Sequence, residues 1–355
     1  MGFVDADTHV LETEATWSYL ADDEARFRPN TLDTDGSQTE WHGLKRFWYT
    51  QGQLIPRGLT GLHVEGIPAD AVRMLDDVPG RVAWMDRLGI ETQIVISSFF
   101  IVTLFSDADA QVALARSYNR WMADCCKPFP ERLRWSVALP LHDMEAAVEE
   151  IRFGAANGAA SVLMRAHENK RLLSDEYFDP IYAEAEKFDL SVGVHIGNTF
   201  DPTYTKLNGV MFAVAAMTGA FVNVFTSNLG ERFPGLRFSF LEAGAEWLPF
   251  AMRAISRGID GAARRDVELD ETPLAGTNLY IACTYEEDLP QILKFSGEDN
   301  LVLGTDFGHS DFGLDLEAHR GLLARTDVDQ RILRKIVDTN GRRLYGLERA
   351  AEVAA

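Results

Sequence analysis

Cysteine is scarce. Only Cys125, Cys126 and Cys283 occur, two of them adjacent and none in a C-x-x-C spacing, which argues against a disulfide framework or a thiolate zinc site and fits a reducing compartment. Positive charge is also short: 34 Lys and Arg against 54 Asp and Glu leave a net charge of −20, a field that repels nucleic acid and anionic lipid. A small anionic substrate stays open, because a pocket can be locally positive inside an acidic protein. The opening MGFVDADTHV lacks a basic stretch leading into an apolar core, so no signal peptide is expected and the chain reads as cytoplasmic. One uncharged run, Gly209 to Leu229, is about long enough to span a bilayer. Its Thr218, Asn223, Thr226, Ser227 and Asn228 favour a buried helix at a barrel or homodimer contact, with a membrane span as the alternative. Repeats of fixed period and low-complexity tracts are missing as well.

What is there suits one large core: 46% of the 355 residues are apolar and 25% charged, the balance of a soluble globular protein. Short apolar runs rich in β-formers alternate with amphipathic stretches, the pattern of βα units around a parallel sheet. Eight candidate strands run from Phe3 to His9, Gln93 to Ser97, Leu133 to Leu139, Ser161 to Arg165, Ser191 to Ile196, Leu236 to Glu242, Asn278 to Cys283 and Leu301 to Asp306. Helical spacing marks Ala108 to Lys127, Asp143 to Asn157, Asp175 to Phe188, Glu246 to Arg265, Glu287 to Ser296 and Asp329 to Tyr345, with Ser174 and Asp143 as expected caps. Eight such units make a (β/α)8 TIM barrel, of class α/β, the expected fold. The alternative, an open doubly wound sheet, loses its dinucleotide-binding version because no G-x-G-x-x-G follows the first strand. The whole chain, 1–355, is expected to be a single barrel. Residues 20–79, rich in Gly, Pro, Asp and aromatics, form a lid-like insertion after the first strand, and RFWYTQGQLIPR reads as a hairpin turning at Gln51-Gly52.

Chemistry concentrates at strand ends. In VDADTHV, strict alternation puts Asp5, Asp7 and His9 on one face of the first strand, the barrel interior. Buried charges need partners, and a shared cation supplies one; Asp5 and Asp7 as turn caps beside a core histidine is the other reading. His195 ends SVGVHIGN and Asp306 sits in LVLGTDFGHSD, both at carboxyl ends of strands, where barrel enzymes place their sites. Two imidazoles and two carboxylates on one rim suit a single divalent ion, Zn²⁺ first and Mn²⁺ as the alternative. His309 is a candidate catalytic residue or a structural one with Asp311. In the insertion, Arg46, Trp48 and Arg57, with Trp41, form either an aromatic wall that binds a carboxylate or a satellite core with exposed arginines.

Several of these stretches carry a resemblance: VDADTHV, HIGN, FPGLRFSFLEAGAEWLPF and LVLGTDFGHSD. Together with GRVAWMDRLGIETQIV and YNRWMADCCKPFPERLRWSVALPLHDMEAAVEEI they resemble, nearly end to end, the amidohydrolase-related family that contains aminocarboxymuconate-semialdehyde, resorcylate and carboxyvanillate decarboxylases. The resemblance implies a metal held by Asp7, His9, His195 and Asp306, with Asp306 also handling a proton. Asp7 stands where the family's first ligating histidine or glutamate falls. A second departure is Glu242, in LEAGAEW, where the decarboxylases carry a histidine; it is read either as a proton shuttle in that histidine's place or as a salt-bridge partner of Arg165. Arg165, with the insertion's arginines, is the expected binder of substrate carboxylate.

The implied activity is non-oxidative decarboxylation of a small aromatic or enol-type carboxylate. Hydrolysis of a lactone, ester or amide is the alternative, with a non-catalytic binding barrel as a third reading.

Overall fold

A computed structural model describes residues 2–35, 46–57, 70–168, 170–197, 209–257, 272–309 and 314–347 of the chain. Trp41, Asn198, Asp311 and the part from 258 to 265 of the helix expected from Glu246 to Arg265 lie outside the described residues.

Eight parallel strands form the barrel: β1 Phe3–Val10, β5 Ile90–Ser97, β6 Leu133–Ala138, β7 Ala159–Arg165, β8 Ser191–His195, β9 Phe238–Leu241, β10 Leu279–Cys283 and β11 Leu301–Leu303. They neighbour one another in chain order, as short right-handed βα crossovers demand. The ring closes at its first and last strands: Asp306 N donates to Asp7 O at 3.0 Å, and Thr8 bridges Phe307. The strands after β1 fall where short apolar runs predict them, because both faces of a barrel strand are covered, whereas β1, FVDADTHV, carries the polar site residues. Helices such as Ala108–Cys126 and Met144–Ala156 ring the outside, the second capped by Asp143, whose side chain accepts from Ala146 N. The expected Ser174 cap is instead Asp175, which accepts from Tyr177 N at 2.9 Å; a carboxylate one residue nearer the helix start outcompetes the hydroxyl.

After β1 the insertion forms its own antiparallel sheet of β2 Asn30–Asp33, β3 Arg46–Thr50 and β4 Gln53–Pro56. The hairpin turns at Gln51-Gly52, both at positive φ, the primed turn that matches strand twist. Trp48 is buried against Trp17, which packs edge-on to Phe99 at the top of the barrel. Among the described residues no helix is long and apolar enough to cross a membrane; Gly209–Thr226 is a helix of 18 residues that packs on its neighbour Trp247–Ser256.

Candidate metal centre

The barrel's closure builds the site. Asp306 follows β11 and hydrogen-bonds through its backbone to Asp7 on β1, so the two carboxylates enter the same rim. Gly304 makes that approach feasible: a Cβ there would lie 2.5 Å from the Cβ of Asp7. His9 and His195 come in from β1 and β8, both with side chains fully buried.

Donor atoms converge in one small volume. His9 Nε2 and His195 Nε2 are 3.1 Å apart. Asp7 Oδ1 lies 3.3 Å from each of them, Asp306 Oδ1 lies 3.3 Å from His9 Nε2, and Glu242 Oε2 lies 3.4 Å from His195 Nε2. Asp7 Oδ1 is buried and accepts no well-directed hydrogen bond from any described residue. His195 gives its Nδ1 to the carbonyl of Ile196 at 2.6 Å, which in the neutral ring leaves the Nε2 lone pair facing the cluster. With neutral imidazoles the three carboxylates Asp7, Asp306 and Glu242 carry −3 in a buried space, and a divalent ion would bring that to −1. Groups so arranged, at the spacing of atoms that share one ion, fit a metal.

Electrostatics point the same way. Burial alone would raise the Asp7 carboxyl, but the adjacent His195 and His9 hold it far below the usual carboxylate range. Burial disfavours a charged His195, yet Asp7, then Glu242, push its imidazole up to about 9. Without an ion, the cluster is thus an ion pair short of donors, and metal binding there displaces a proton. His309 behaves oppositely: burial, then the neighbouring His9 and His195, push it well below the usual imidazole value. It stacks on His9 with ring centres 3.7 Å apart, places Nδ1 2.9 Å from Asp306 Oδ1, and meets Ser98 Oγ through Nε2 at 3.0 Å.

Asp5 does not share this face. It accepts from Thr305 N, Thr305 Oγ1 and Gln93 Nε2, while Gln93 Oε1 and Thr8 Oγ1 both take hydrogen bonds from the buried Arg81. Asp5 and Thr8 therefore belong to one network although they are three residues apart. The register of β1 on β5 shifts between them, and that irregularity breaks the alternation that groups Asp5 with Asp7 and His9.

Arg165 and Glu242 form no salt bridge with each other. Arg165 is held bidentately by Glu168 at 2.9 and 2.7 Å and by the carbonyl of Thr103, beside a cavity of about 20 Å³, room for one water. The insertion's arginines are taken up away from the metal cluster: Arg46 pairs with Asp33, and Arg57 meets Glu14 and Thr31 with its guanidinium 4.1 Å from the Trp48 ring.

Three contributors were not legible as site residues. Arg73 clamps the carbonyl of Gly308, next to His309, at 3.0 and 2.6 Å. Glu12, buried just beyond β1, accepts from Ser97 Oγ and Phe99 N, fixing the short helix Ser98–Val102 that presents Ser98 to His309. Glu168, partner of Arg165, had a signal in its i,i+3 spacing within RAHE. Glu242 and Asp306 also share a trait that sequence hides: both are non-glycine residues in the left-handed region, with φ of 60° and 53°. Such strain costs on the order of 1–3 kcal/mol per residue and concentrates at functional sites.

Comparison with known proteins gives the family and the fold. A family model described as amidohydrolase matches residues 101–347. The chain belongs to the amidohydrolase family. That match begins after β1 and so does not cover Asp7 and His9. The chain is 28% identical over 182 residues to gamma-resorcylate decarboxylase of Rhodococcus jostii (strain RHA1), covering 46% of this chain and 55% of that protein. It is 23% identical over 239 residues to 2-amino-3-carboxymuconate-6-semialdehyde decarboxylase of Dictyostelium discoideum, covering 64% and 65%. It thus spans under two thirds of the length of these curated relatives. In fold it is similar to an amidohydrolase from Mycobacterium avium subsp. paratuberculosis K-10, with a TM-score of 0.78, 21% identity, and 97% of this chain and 99% of that one covered. It is also similar to 5-carboxyvanillate decarboxylase from Novosphingobium aromaticivorans DSM 12444, complexed with manganese, at a TM-score of 0.62 and 21% identity over 75% and 79% of the two chains.

Proposed function

We propose that this amidohydrolase is a metal-dependent decarboxylase of a small aromatic or enol-type carboxylate, with one divalent ion, Zn²⁺ or Mn²⁺, held by Asp7, His9, His195 and Asp306. The observation that carries the metal is Asp7 Oδ1, buried, short of donors and 3.3 Å from both imidazole Nε2 atoms. The observation that favours decarboxylation is that the curated relatives reported above are decarboxylases.

When bound, the ion would supply Lewis acidity that polarises the substrate beside its carboxylate. Asp306 handles the proton. It delivers one to the carbon that bears the carboxylate; the carbon–carbon bond then breaks, its electron pair stays with the ring, and carbon dioxide leaves. The neutral His309 imidazole, 2.9 Å from Asp306 Oδ1, fixes that carboxyl and its proton. The insertion supplies the lid, with Arg46, Arg57 and Trp48 bounding it, and Arg165 stiffens the rim through Glu168 rather than offering a free cation.

Hydrolysis of a lactone, ester or amide is the second reading, favoured by Glu242 in place of the decarboxylases' histidine. Metal-loaded protein given hydroxybenzoates and lactones in ¹⁸O-water separates the two. Carbon dioxide release with no ¹⁸O in the aromatic product is expected; ¹⁸O entering product would reassign the chain as a hydrolase. No turnover at full metal occupancy would favour a binding barrel. His195→Ala should lose metal and activity together.

The acidic charge is what supports our reading of a cytoplasmic protein that works without nucleic acid. A homodimer is the assembly we favour. The uncharged helix Gly209–Thr226 packs beside a helix whose Phe250 is 70% exposed.

A further inference from the structure

Glu242 follows β9 at the barrel rim, and three observations bear on its role. Its Oε2 lies 3.4 Å from His195 Nε2, almost the 3.3 Å at which Asp7 Oδ1 meets that same nitrogen. Its backbone adopts the same left-handed conformation as that of Asp306, the other carboxylate that turns in from a strand end. Its carboxylate also falls within 4.8 Å of donor atoms from His9, Asp306 and His309.

The turn that follows Glu242 is built to hold it. Glu287 is buried and accepts from the backbone N–H groups of Ala245, Glu246 and Thr284, so one carboxylate pins the loop after β9 to the end of β10. A proton shuttle needs reach toward substrate. A ligand needs its oxygen at ligand spacing from the other donors. Atoms bound to one ion at about 2.0–2.2 Å lie roughly 3 to 3.5 Å apart, which is the spacing found here.

We propose that Glu242 is a fifth protein ligand of the ion held by Asp7, His9, His195 and Asp306, giving two nitrogen and three oxygen donors, and that this carboxylate tilts the site from Zn²⁺ toward Mn²⁺. Zinc prefers four ligands in a tetrahedron with nitrogen or sulfur well represented. Manganese accepts six, favours carboxylate oxygen, and keeps one position for substrate beside five protein ligands. The proposal rests on the four-residue site of the preceding subsection.

Metal-free full-length protein titrated with Mn²⁺, free ion being counted by electron paramagnetic resonance, and with Zn²⁺ against a chromogenic chelator, tests it. The wild type should bind one ion. Glu242→Gln should weaken Mn²⁺ by at least about 100-fold, the upper end of the loss seen when mere outer-shell partners are removed, and Zn²⁺ by about tenfold or less. Glu242→Gly removes the carboxylate while suiting the left-handed backbone, so it guards against misfolding and should give the same pattern. Mn²⁺ affinity of both variants within about threefold of the wild type would overturn Glu242 as a ligand and leave the four-residue site standing. So would two ions per wild-type chain, which would place Glu242 at a separate position. A wild type that binds neither ion would overturn the four-residue site itself.

Discussion

Two buried polar clusters share β1 and are resolved in opposite ways. On one side, Asp5 takes hydrogen bonds from Thr305 and Gln93, and Gln93 with Thr8 takes them from Arg81, whose guanidinium also reaches the carbonyl of His9 at 3.0 Å and lies 4.6 Å from the Phe307 ring. Cation and anion are both supplied by the chain. On the other side, Asp7, His9, His195 and Asp306 face one another with an excess of acceptors, and Asp7 Oδ1 lacks a well-directed donor. Burial is equally complete in both, so depth does not distinguish a structural network from a functional one. The balance of donors against acceptors does: a cluster short of positive charge is asking for a cation.

The comparison can be broken at either end. Arg81→Met should remove the chain's own cation and leave Asp5 without its distant counter-charge. The unfolding free energy should fall by about 3–5 kcal/mol in urea melts, with metal affinity changed by less than about tenfold. A loss of metal with unchanged stability would reverse the roles assigned to the two clusters. Asp7→Asn should do the converse. The metal-free protein should lose less stability than with Arg81→Met, because only the pairing of Asp7 with His195 goes and His195 can then shed its proton. The stabilisation by metal, about 4 kcal/mol when the ion is present at 1,000 times its Kd, should vanish. Thermal or chemical melts with and without Mn²⁺ read both numbers.

A smaller effect concerns pH. Burial pushes the carboxyl of Glu12 up to about 7, against the hydrogen bonds from Ser97 and Phe99, and does the same to Asp5. A carboxyl that keeps its proton longer when folded adds stability that is complete below about pH 4.5 and is lost as pH rises through about 7. The Glu12 share of metal-free stability should therefore be larger at pH 5 than at pH 8, by on the order of 3 kcal/mol, set against the opposite slope from the depressed His309, and Glu12→Gln should remove that share. A Glu12→Gln variant whose profile keeps the wild-type slope would contradict the buried, protonated state.

Much of this was readable before any coordinates. The barrel strands after β1 lie where short apolar runs put them, since parallel strands covered on both faces cannot hide in a sequence. The Gln51-Gly52 turn was equally plain, because few residues tolerate positive φ twice in succession. His9, His195 and Asp306 could be picked out by their position at strand ends. What sequence withheld was phase and partnership. The register shift in β1 moved Asp5 out of the group with Asp7 and His9, and no periodicity reveals a shift set by the neighbouring strand. Arg165 offered a free cation on paper but is held by Glu168, three residues away across a turn. Glu242 looks like a substitution in a motif; its distances to His195 and the other donors are what carry the ligand proposal. The buried arginines at 73 and 81 sit on helices where an arginine ordinarily reads as surface.

The most direct test of the account is a crystal of Mn²⁺-loaded protein with anomalous scattering collected at the manganese edge. One strong peak is expected, about 2.0–2.3 Å from Asp7 Oδ1, His9 Nε2, His195 Nε2 and an Asp306 carboxylate oxygen. No peak at full loading, or one lying away from these four side chains, would contradict it.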